Sequence, residues 1–284
     1  MSKKKKAPLK VPKSILATAK VLEITSNKLA AKFAMKLFIT PMKFKLPRKE
    51  MNMELQSEQE YLDIESLDKK IRVYHYGTSD KKVLLVHGWS GRGTQLWAIA
   101  EELIKNGYST VSFDAPAHGK SSGKTSNMLE FIASIQELNK KYGPFEYAIG
   151  HSLGAMSVLN SIKQGLTVKK AIIIGSGDKI EDILSDFISK LGMNIATRKK
   201  MIALFENKFD AKINDYSAYV AAKEVHIPVL VIHDKDDKDV PATASQHIHE
   251  HLEKSELMIT EGLGHRKILG NGEVIKRTIQ FITQ

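Results

Sequence analysis

Residues 150–154 of this 284-residue chain read Gly-His-Ser-Leu-Gly, between the strand-like run 145–149 and the helix-like run 157–163. A Gly-x-Ser-x-Gly motif between a strand and a helix is typical of a sharp turn that strains the backbone of its serine. The flanking glycines leave room for neighbouring backbone. The motif predicts that Ser152 is a nucleophile, although two glycines around a serine also occur in ordinary strand-to-helix turns.

The chain after residue 80 alternates between apolar runs and helix-like segments. Because these runs lack polar alternation, they predict strands buried on both faces of a doubly wound, mostly parallel sheet. The runs are KKVLLVHGW (81–89), STVSFDAPAHG (109–119), FEYAIGHSLG (145–154), KKAIIIGSG (169–177), HIPVLVIHD (226–234) and SELMITEGLGH (255–265). Two earlier segments, EYLDIES (60–66) and KKIRVYHYG (69–77), predict a hairpin, which brings the sheet to eight strands.

One gap interrupts this rhythm between the sixth and seventh predicted strands, counting the hairpin as the first two. About 50 residues separate Gly177 from His226, more than a single crossover helix needs. The gap contains two or three short helix-like stretches, so we expect a helical cap insertion. The predicted domains are an N-terminal arm (1–49), a core (50–177 and 226–284) and this insertion (178–225).

The net charge of +11 is concentrated in the arm. Residues 1–49 hold 14 Lys and Arg residues and one acidic residue, Glu23, whereas the other 235 residues hold 29 basic and 31 acidic residues. The folded body is therefore close to neutral, and we expect no nucleic-acid partner. The chain has no cysteine, which excludes disulfides and a thiolate nucleophile.

The arm has the pattern of a basic amphipathic helix, interrupted once at most. Its apolar residues recur at intervals of three, four or seven with lysines between them, as in Leu22, Leu29 and Phe33. We expect the apolar stripe to pack on the folded body. Peripheral contact of residues 1–40 with an anionic membrane is the alternative. Lysines and Glu23 interrupt any signal or membrane-spanning stretch, so we expect a cytoplasmic protein.

A nucleophilic serine needs a base to take its proton and an acid to orient that base. Two polar loops lie downstream of Ser152 at the carboxyl ends of predicted strands, the edge where open α/β sheets bind ligands. The Gly-rich turn 262–265 offers His265 as the base. The loop 232–241 offers several acids, each of which is also a candidate cap for the next helix: Asp234, Asp236, Asp237 and Asp239.

Five of the other histidines, including His249 on a predicted helix, are weaker candidates for chemistry. His75 lies in the predicted hairpin, and His226 precedes its strand. His247 and His251 have the spacing of a metal-binding pair on a helix, but the pattern offers no third ligand. We expect a solvent-exposed helix face there, and neither a metal nor an organic cofactor in the protein.

Five fragments resemble the α/β-hydrolase superfamily, closest to a group of uncharacterised bacterial α/β-hydrolases. They are VLLVHGWSGRGTQLW (83–97), FDAPAHGKSSG (113–123), GHSLG (150–154), IHDKDDKDVP (232–241) and GLGHRKIL (262–269). The arm segment LFITPMKFKLP (37–47) is similar to the N-terminal segment of the same group. The resemblance covers roughly residues 60–284, and it implies the α/β-hydrolase fold with a small helical cap over the active site.

The resemblance also implies roles for particular residues. The family order is Ser, Asp and His, and its acid lies four residues before a proline, here Pro241, which indicates Asp237. Asp234 and Asp236 remain alternatives. An oxyanion hole is implied at the backbone N–H groups of Trp89 and Leu153. Two positions depart from the family, because Ala117 and Asp234 stand where it usually has glycine.

We therefore expect a serine hydrolase that cleaves an ester or thioester of a small or medium acyl substrate through an acyl-enzyme. One alternative is a non-catalytic receptor that keeps the pocket of the fold, and another is a lipase-like hydrolase at a membrane surface. Nucleotide hydrolysis is excluded. The Gly-Lys-Ser and Gly-Lys-Thr sequences within 119–125 lack the glycine that a phosphate-binding loop has five residues earlier.

Overall fold

The polypeptide folds into two units, which we call the arm unit and the sheet unit. The computed structural model describes residues 11–284, so residues 1–10 of the predicted arm, with the lysine run 3–6, lie outside the described residues. The arm unit combines the described residues up to Phe38 with Ile180–Asp215. The sheet unit combines Ile39–Lys179 with Tyr216–Gln284, and residues 39–49 of the predicted arm therefore belong to it.

Helices lie in the predicted arm, in the predicted insertion and between the strands. In the described chain they are α1 (Lys13–Thr25), α2 (Asn27–Phe38), α3 (Met51–Gln56), α4 (Trp97–Lys105), α5 (Met128–Tyr142), α6 (Leu153–Lys163), α7 (Ile180–Lys190), α8 (Ile195–Phe209), α9 (Ala218–Ala222), α10 (Thr243–His251), α11 (Gly264–Lys267) and α12 (Gly272–Thr283). The arm helix is interrupted once, as expected. The break lies at Ser26, whose extended backbone separates α1 from α2.

The strands of the described residues form one sheet. They are β1 (Glu58–Ile64), β2 (Lys69–Tyr76), β3 (Lys82–Val86), β4 (Ser109–Asp114), β5 (Tyr147–His151), β6 (Lys170–Ile174), β7 (Val229–Asp234) and β8 (Ser255–Thr260). Their order across the sheet is β1-β2-β4-β3-β5-β6-β7-β8. Strands β3 to β8 run parallel, and β1 and β2 are antiparallel to their neighbours. The predicted doubly wound, mostly parallel eight-stranded sheet is confirmed.

Burial on both faces explains the apolar composition of the central strands. Every residue of β4, β5 and β7 is buried, including Val229 to Ile232. Because parallel strands end at the same edge, the loops that follow β3, β5, β7 and β8 all lie at one edge of the sheet. This edge carries the glycine-rich and polar segments that the sequence indicates as a site.

Small residues fill the core of the arm unit. Ala30, Ala31 and Ala34 of α2 are fully buried and share one apolar cluster with residues of α7 and α8, including Leu184 and Met201. Alanine lets helix backbones approach closely, and the larger side chains of the inserted helices pack directly against the alanines of α2. Within this unit Leu22 and Phe33 of the predicted apolar stripe pack against this cluster, whereas Leu29 is 50% exposed, so the stripe is only partly covered.

A hydrogen-bonded junction joins α1 to the start of α8. The Glu23 carboxylate accepts hydrogen bonds from the Asn194 amide nitrogen at 2.7 Å and from the Thr197 hydroxyl at 2.8 Å. Asn194 in turn caps α8, because its side-chain oxygen accepts from the Thr197 amide at 2.9 Å. The one acidic residue of the arm is thus a partner of the inserted helices.

None of the helices within residues 11–284 is both long and apolar enough to cross a membrane.

The alanine-lined interface gives a first prediction. We expect Ala34→Leu to destabilise the protein by about 1–3 kcal/mol, because the added methylene groups have no space in the packed cluster. The matched control is Ala17→Leu, which places the same change on an exposed face of α1. Urea denaturation followed by circular dichroism measures both. Equal midpoints for the two variants would contradict the close packing.

Candidate active site

Ser152 occupies the turn between β5 and α6 in a backbone conformation that is rare for a residue with a side chain. Its φ is +53°, within the left-handed region. Its amide nitrogen donates to the Ile174 carbonyl at the end of β6, at 2.9 Å. Positive φ at a non-glycine residue costs about 1–3 kcal/mol and persists only where the surroundings enforce it. The predicted sharp turn at Ser152 is therefore present.

The glycines around Ser152 are required by close backbone approach. A Cβ at Gly150 would lie 2.5 Å from the Gly154 carbonyl oxygen, and a Cβ at Gly154 would overlap the Val86 carbonyl. A Cβ at Gly88, in the loop after β3, would lie only 3.0 Å from the Ser152 Cβ. The loop after β3 and the serine turn are thus in direct contact.

His265 and Asp237 form a direct pair. The His265 Nδ1 lies 2.6 Å from the Asp237 Oδ2, and the Asp237 side chain is 1% exposed. The second carboxylate oxygen of Asp237 accepts from the amide nitrogens of Asp239 and Val240, at 2.8 and 3.0 Å. With Nδ1 donating to the carboxylate, Nε2 of His265 is the nitrogen that can take a proton.

A second imidazole contacts the same carboxylate from inside the protein. The Nε2 of His233, which is fully buried, lies 3.3 Å from the Asp237 Oδ2 and 3.1 Å from the Val240 carbonyl oxygen. Both neighbours are acceptors, so Nε2 carries the proton, while Nδ1 at 2.6 Å accepts from the Ser245 hydroxyl. His233 therefore donates toward Asp237 as His265 does.

These two donors determine the charge of the carboxylate. Burial alone would raise the pKa of Asp237, but the hydrogen bonds from His233 and His265 outweigh it and hold the pKa below its ordinary value. Asp237 is consequently ionised across the neutral range. Sequence reasoning did not single out His233, although its place at the end of β7, four residues before Asp237, was a usable signal.

The other aspartates of this loop contact different groups. Asp234 is fully buried and its carboxylate accepts from the Gly264 amide at 2.8 Å, the Leu263 amide at 3.1 Å and the Thr260 hydroxyl at 2.7 Å. Asp236 accepts from the Gly262 amide at 2.9 Å. Both therefore link the loop after β7 to the loop after β8, while Asp237 contacts His265 itself.

His151 connects the serine turn to the His265 loop. Its Nε2 donates to the His265 carbonyl oxygen at 2.8 Å, and the two ring centroids lie 4.7 Å apart. Burial, together with the nearby His265 imidazole, lowers the pKa of His151 to about 3, so the ring is neutral at physiological pH. Because Ser152 is the next residue after His151, this hydrogen bond ties the serine turn to the loop of His265.

The two predicted oxyanion donors lie in the expected loops. Leu153 is the first residue of α6, and Trp89 follows Gly88 in the loop after β3. Within residues 11–284, neither amide nitrogen donates to a protein acceptor. The Gly88 amide, in contrast, donates to the Gln95 side-chain oxygen at 2.8 Å. The Trp89 ring packs edge-on against His118.

Two histidines of α10 with metal-ligand spacing are bonded to protein groups instead. His247 Nδ1 lies 2.6 Å from an Asp178 carboxylate oxygen, and His251 Nδ1 lies 2.8 Å from the His247 carbonyl oxygen. The described part of the chain contains no group of three or more His, Cys, Asp or Glu side chains that could hold a metal ion. The Nδ1 atoms of His247 and His251 are thus both hydrogen-bonded to protein groups.

The sequence matches a known protein family. The sequence model of the alpha/beta hydrolase family matches residues 83–274, which is more than half of the chain. The chain belongs to the α/β-hydrolase family. No similar sequence was found among curated proteins.

Solved structures of other α/β-hydrolases share the fold. An esterase from Pyrococcus furiosus superposes with a TM-score of 0.66 at 18% identity, over 86% of this chain and 96% of that one. An esterase from Exiguobacterium antarcticum gives 0.64 at 16% identity, over 80% and 100%. A bromoperoxidase from Bacillus anthracis gives 0.62 at 16% identity, over 80% and 99%. At these identities the similarity establishes the fold alone.

Both departures of this α/β-hydrolase from the family pattern have structural explanations. Ala117 has a φ of +64°, the left-handed region that favours glycine, which explains why the family usually has glycine there. Asp234 uses its carboxylate to join the two loops that carry Asp237 and His265. Aspartate at this position therefore adds hydrogen bonds that glycine lacks.

We expect Asp234→Ala to destabilise this α/β-hydrolase by more than about 2 kcal/mol, because several charge-assisted hydrogen bonds are lost together. Although burial raises the pKa of Asp234, the hydrogen bonds from Gly264, Thr260 and Leu263 outweigh it and lower the pKa. Because the pKa of Asp234 is lower in the folded protein than in the unfolded chain, the ionised carboxylate stabilises the fold at pH values above the pKa of the unfolded chain. This stabilisation is lost as the pH falls through the pKa of the folded protein.

The destabilisation should accordingly be larger at pH 7 than below about pH 4, the ordinary range for an aspartate. Urea denaturation at several pH values measures it, and Asp239→Ala, at an exposed position in the same loop, is the matched control. A destabilisation that did not change with pH would show that the charge of Asp234 is not what joins the loops.

Proposed function

We propose that this α/β-hydrolase is a serine hydrolase that cleaves an ester or thioester of a small or medium acyl group. The proposal assigns Ser152 as the nucleophile, His265 as the base and Asp237 as the residue that orients the base. The backbone N–H groups of Trp89 and Leu153 are assigned to the oxyanion. These roles follow the sequence order Ser, Asp, His of the family.

The observation that carries the proposal is the hydrogen bond between His265 and a buried, ionised Asp237. A carboxylate that accepts from Nδ1 fixes the tautomer in which Nε2 is free to accept the serine proton. Asp237 also stabilises the imidazolium that forms when this proton is taken. Three other donors already hold the Asp237 carboxylate, namely the amides of Asp239 and Val240 and the ring of His233. His265 is therefore not needed merely to hold Asp237 in place.

The chemical steps can be written with these groups. Ser152 Oγ attacks the acyl carbon as His265 takes its proton, and the carbonyl oxygen becomes an oxyanion that the Trp89 and Leu153 amides bind. The tetrahedral intermediate collapses, His265 returns the proton to the leaving alcohol or thiol, and an acyl-serine remains. A water molecule, deprotonated by His265, then releases the acid and regenerates the serine.

Two of the solved structures described above are esterases, which is compatible with acyl chemistry on this fold. The unpaired amides of Trp89 and Leu153 support it independently. Both are rigidly placed, one at a helix N-terminus and one beside a glycine in contact with the serine turn. Preformed donors of this kind stabilise a developing oxyanion without reorganisation.

Labelling tests the nucleophile directly. We expect a fluorophosphonate probe to modify the wild-type protein at Ser152 and to leave Ser152→Ala unlabelled, with p-nitrophenyl ester turnover lower by about 10⁴-fold or more. Ser134→Ala is the matched control, since this helical serine donates only to a carbonyl of its own helix, that of Glu130. Labelling that persists in Ser152→Ala, or a ligand that is bound and released unchanged, would refute the assignment.

The identity of the acid is tested by a series in one loop. Asp237→Asn should lower kcat/KM by about 10³- to 10⁴-fold, because an amide can no longer fix the base tautomer or stabilise the imidazolium. Asp239→Asn should leave kcat/KM within about threefold, since only its backbone amide contacts Asp237. Equal losses in the two variants would contradict the role of Asp237. Turnover of p-nitrophenyl acetate provides the measurement.

A further inference from the structure

The described N-terminal stretch 11–49 presents exposed lysines to solvent and contains a single acidic residue. Its only acid, Glu23, accepts hydrogen bonds from Asn194 and Thr197 within the arm unit. The next acid along the chain, Glu50, is buried and accepts from the Thr94 hydroxyl at 2.9 Å. Neither carboxylate forms an ion pair with Lys43 or Lys45, which are both exposed.

The lysines of this stretch differ from those of the rest of the protein in their partners. Later in the chain, many lysines pair with carboxylates, as Lys69 does with Glu130 at 2.7 Å and Lys120 does with Glu54 at 2.6 Å. In the early stretch, six exposed lysines have no carboxylate of residues 11–284 within ion-pair distance: Lys13, Lys20, Lys28, Lys32, Lys43 and Lys45. Their charge is therefore available to an external partner.

Large apolar side chains are exposed among these lysines. On α1, Val21 and Ile24 are 61% and 78% exposed and lie three residues apart on one face of the helix. In the sheet unit, Met42 and Phe44 are 53% and 46% exposed. Each of the two units thus combines exposed apolar side chains with unpaired lysines.

We call Met42, Lys43, Phe44 and Lys45 the exposed basic segment. Its backbone is fixed to the loop after β3, because the Met42 amide donates to the Ser90 hydroxyl at 3.0 Å and Arg92 donates to the Phe44 carbonyl. The side chains of all four residues are exposed while the main chain is anchored. The segment is therefore a fixed surface feature with alternating apolar and cationic groups.

We propose that the exposed basic segment binds an anionic lipid surface. Lysines gain energy from the negative surface potential of such a membrane, and adjacent apolar side chains gain from insertion at the boundary of headgroups and acyl chains. A nucleic acid would use the lysines but would gain little from the exposed thioether chain of Met42. The combination of both kinds of group favours lipid.

The location of the segment connects this surface to the substrate. Ser90, which holds Met42, is the residue after Trp89, the assigned oxyanion donor. If the proposed function holds, a protein bound to lipid through this segment has the loop of its oxyanion hole beside the membrane. The favoured substrate is then an amphiphilic acyl ester or thioester taken from the lipid surface.

Co-sedimentation of the full-length protein with vesicles tests the proposal. We expect binding to vesicles of equal parts phosphatidylglycerol and phosphatidylcholine, loss of binding with phosphatidylcholine alone, and weakening as salt screens the charges. The double variant Lys43→Gln/Lys45→Gln should bind about 25-fold more weakly, at about fivefold per lysine. Met42→Ser/Phe44→Ser should also weaken binding, and the binding that remains should be more sensitive to salt.

The matched control is Lys140→Gln/Lys254→Gln, which removes two exposed lysines that lie near the carboxylates of Glu137 and Glu253. An equal loss in this control, no binding of the wild-type protein to anionic vesicles at low salt, or lysine-dependent binding to single-stranded RNA alone would overturn the proposal. Turnover of soluble p-nitrophenyl acetate, measured in parallel, separates the two questions. Vesicle binding without turnover would refute the proposed function and leave this inference standing.

Discussion

The left-handed backbone of Ser152 is the constraint around which the candidate site is built. A serine at φ +53° is stable only if its neighbours enforce the turn, and they do so by contact. Gly150 and Gly154 leave no space for side chains, the Ser152 amide is bound to the end of β6, and Gly88 abuts the serine itself. The loops of three adjacent strands are therefore fixed relative to one another by a single turn.

Asp234 and Asp237, at and just after the end of β7, position His265 in different ways. Asp234 joins two loops through backbone amides, so it sets where His265 lies. Asp237 sets which nitrogen of His265 carries a proton, and it is itself held by His233 and two amides. The family usually has glycine in place of Asp234. This chain instead uses a buried charge, which stabilises only while it is ionised and fully bonded.

Sequence patterns predicted the sheet, its strands and the positions of Ser152 and His265 because these depend on local signals: continuous apolar runs, glycine spacing and strand ends. They could not distinguish among four aspartates within six residues by pattern, since only the side-chain direction separates Asp237 from Asp234. His233 was overlooked because its position at a strand end, although a usable signal, does not show which side chain it contacts. The packing of α2 against α8 joins residues far apart in sequence, so no local pattern indicates it.

The packing of the arm on the inserted helices has a consequence for biosynthesis. Phe38 leaves the ribosome about 140 residues before Ile180, the start of its partner, is made. At synthesis rates of about 5–20 residues per second, the apolar face of α2 waits on the order of ten seconds without its native cover. During that interval Ala30, Ala34 and Met35 are open to other nascent chains and to chaperones, and Lys28, Lys32 and Lys36 are the charged residues that flank or interrupt this apolar face.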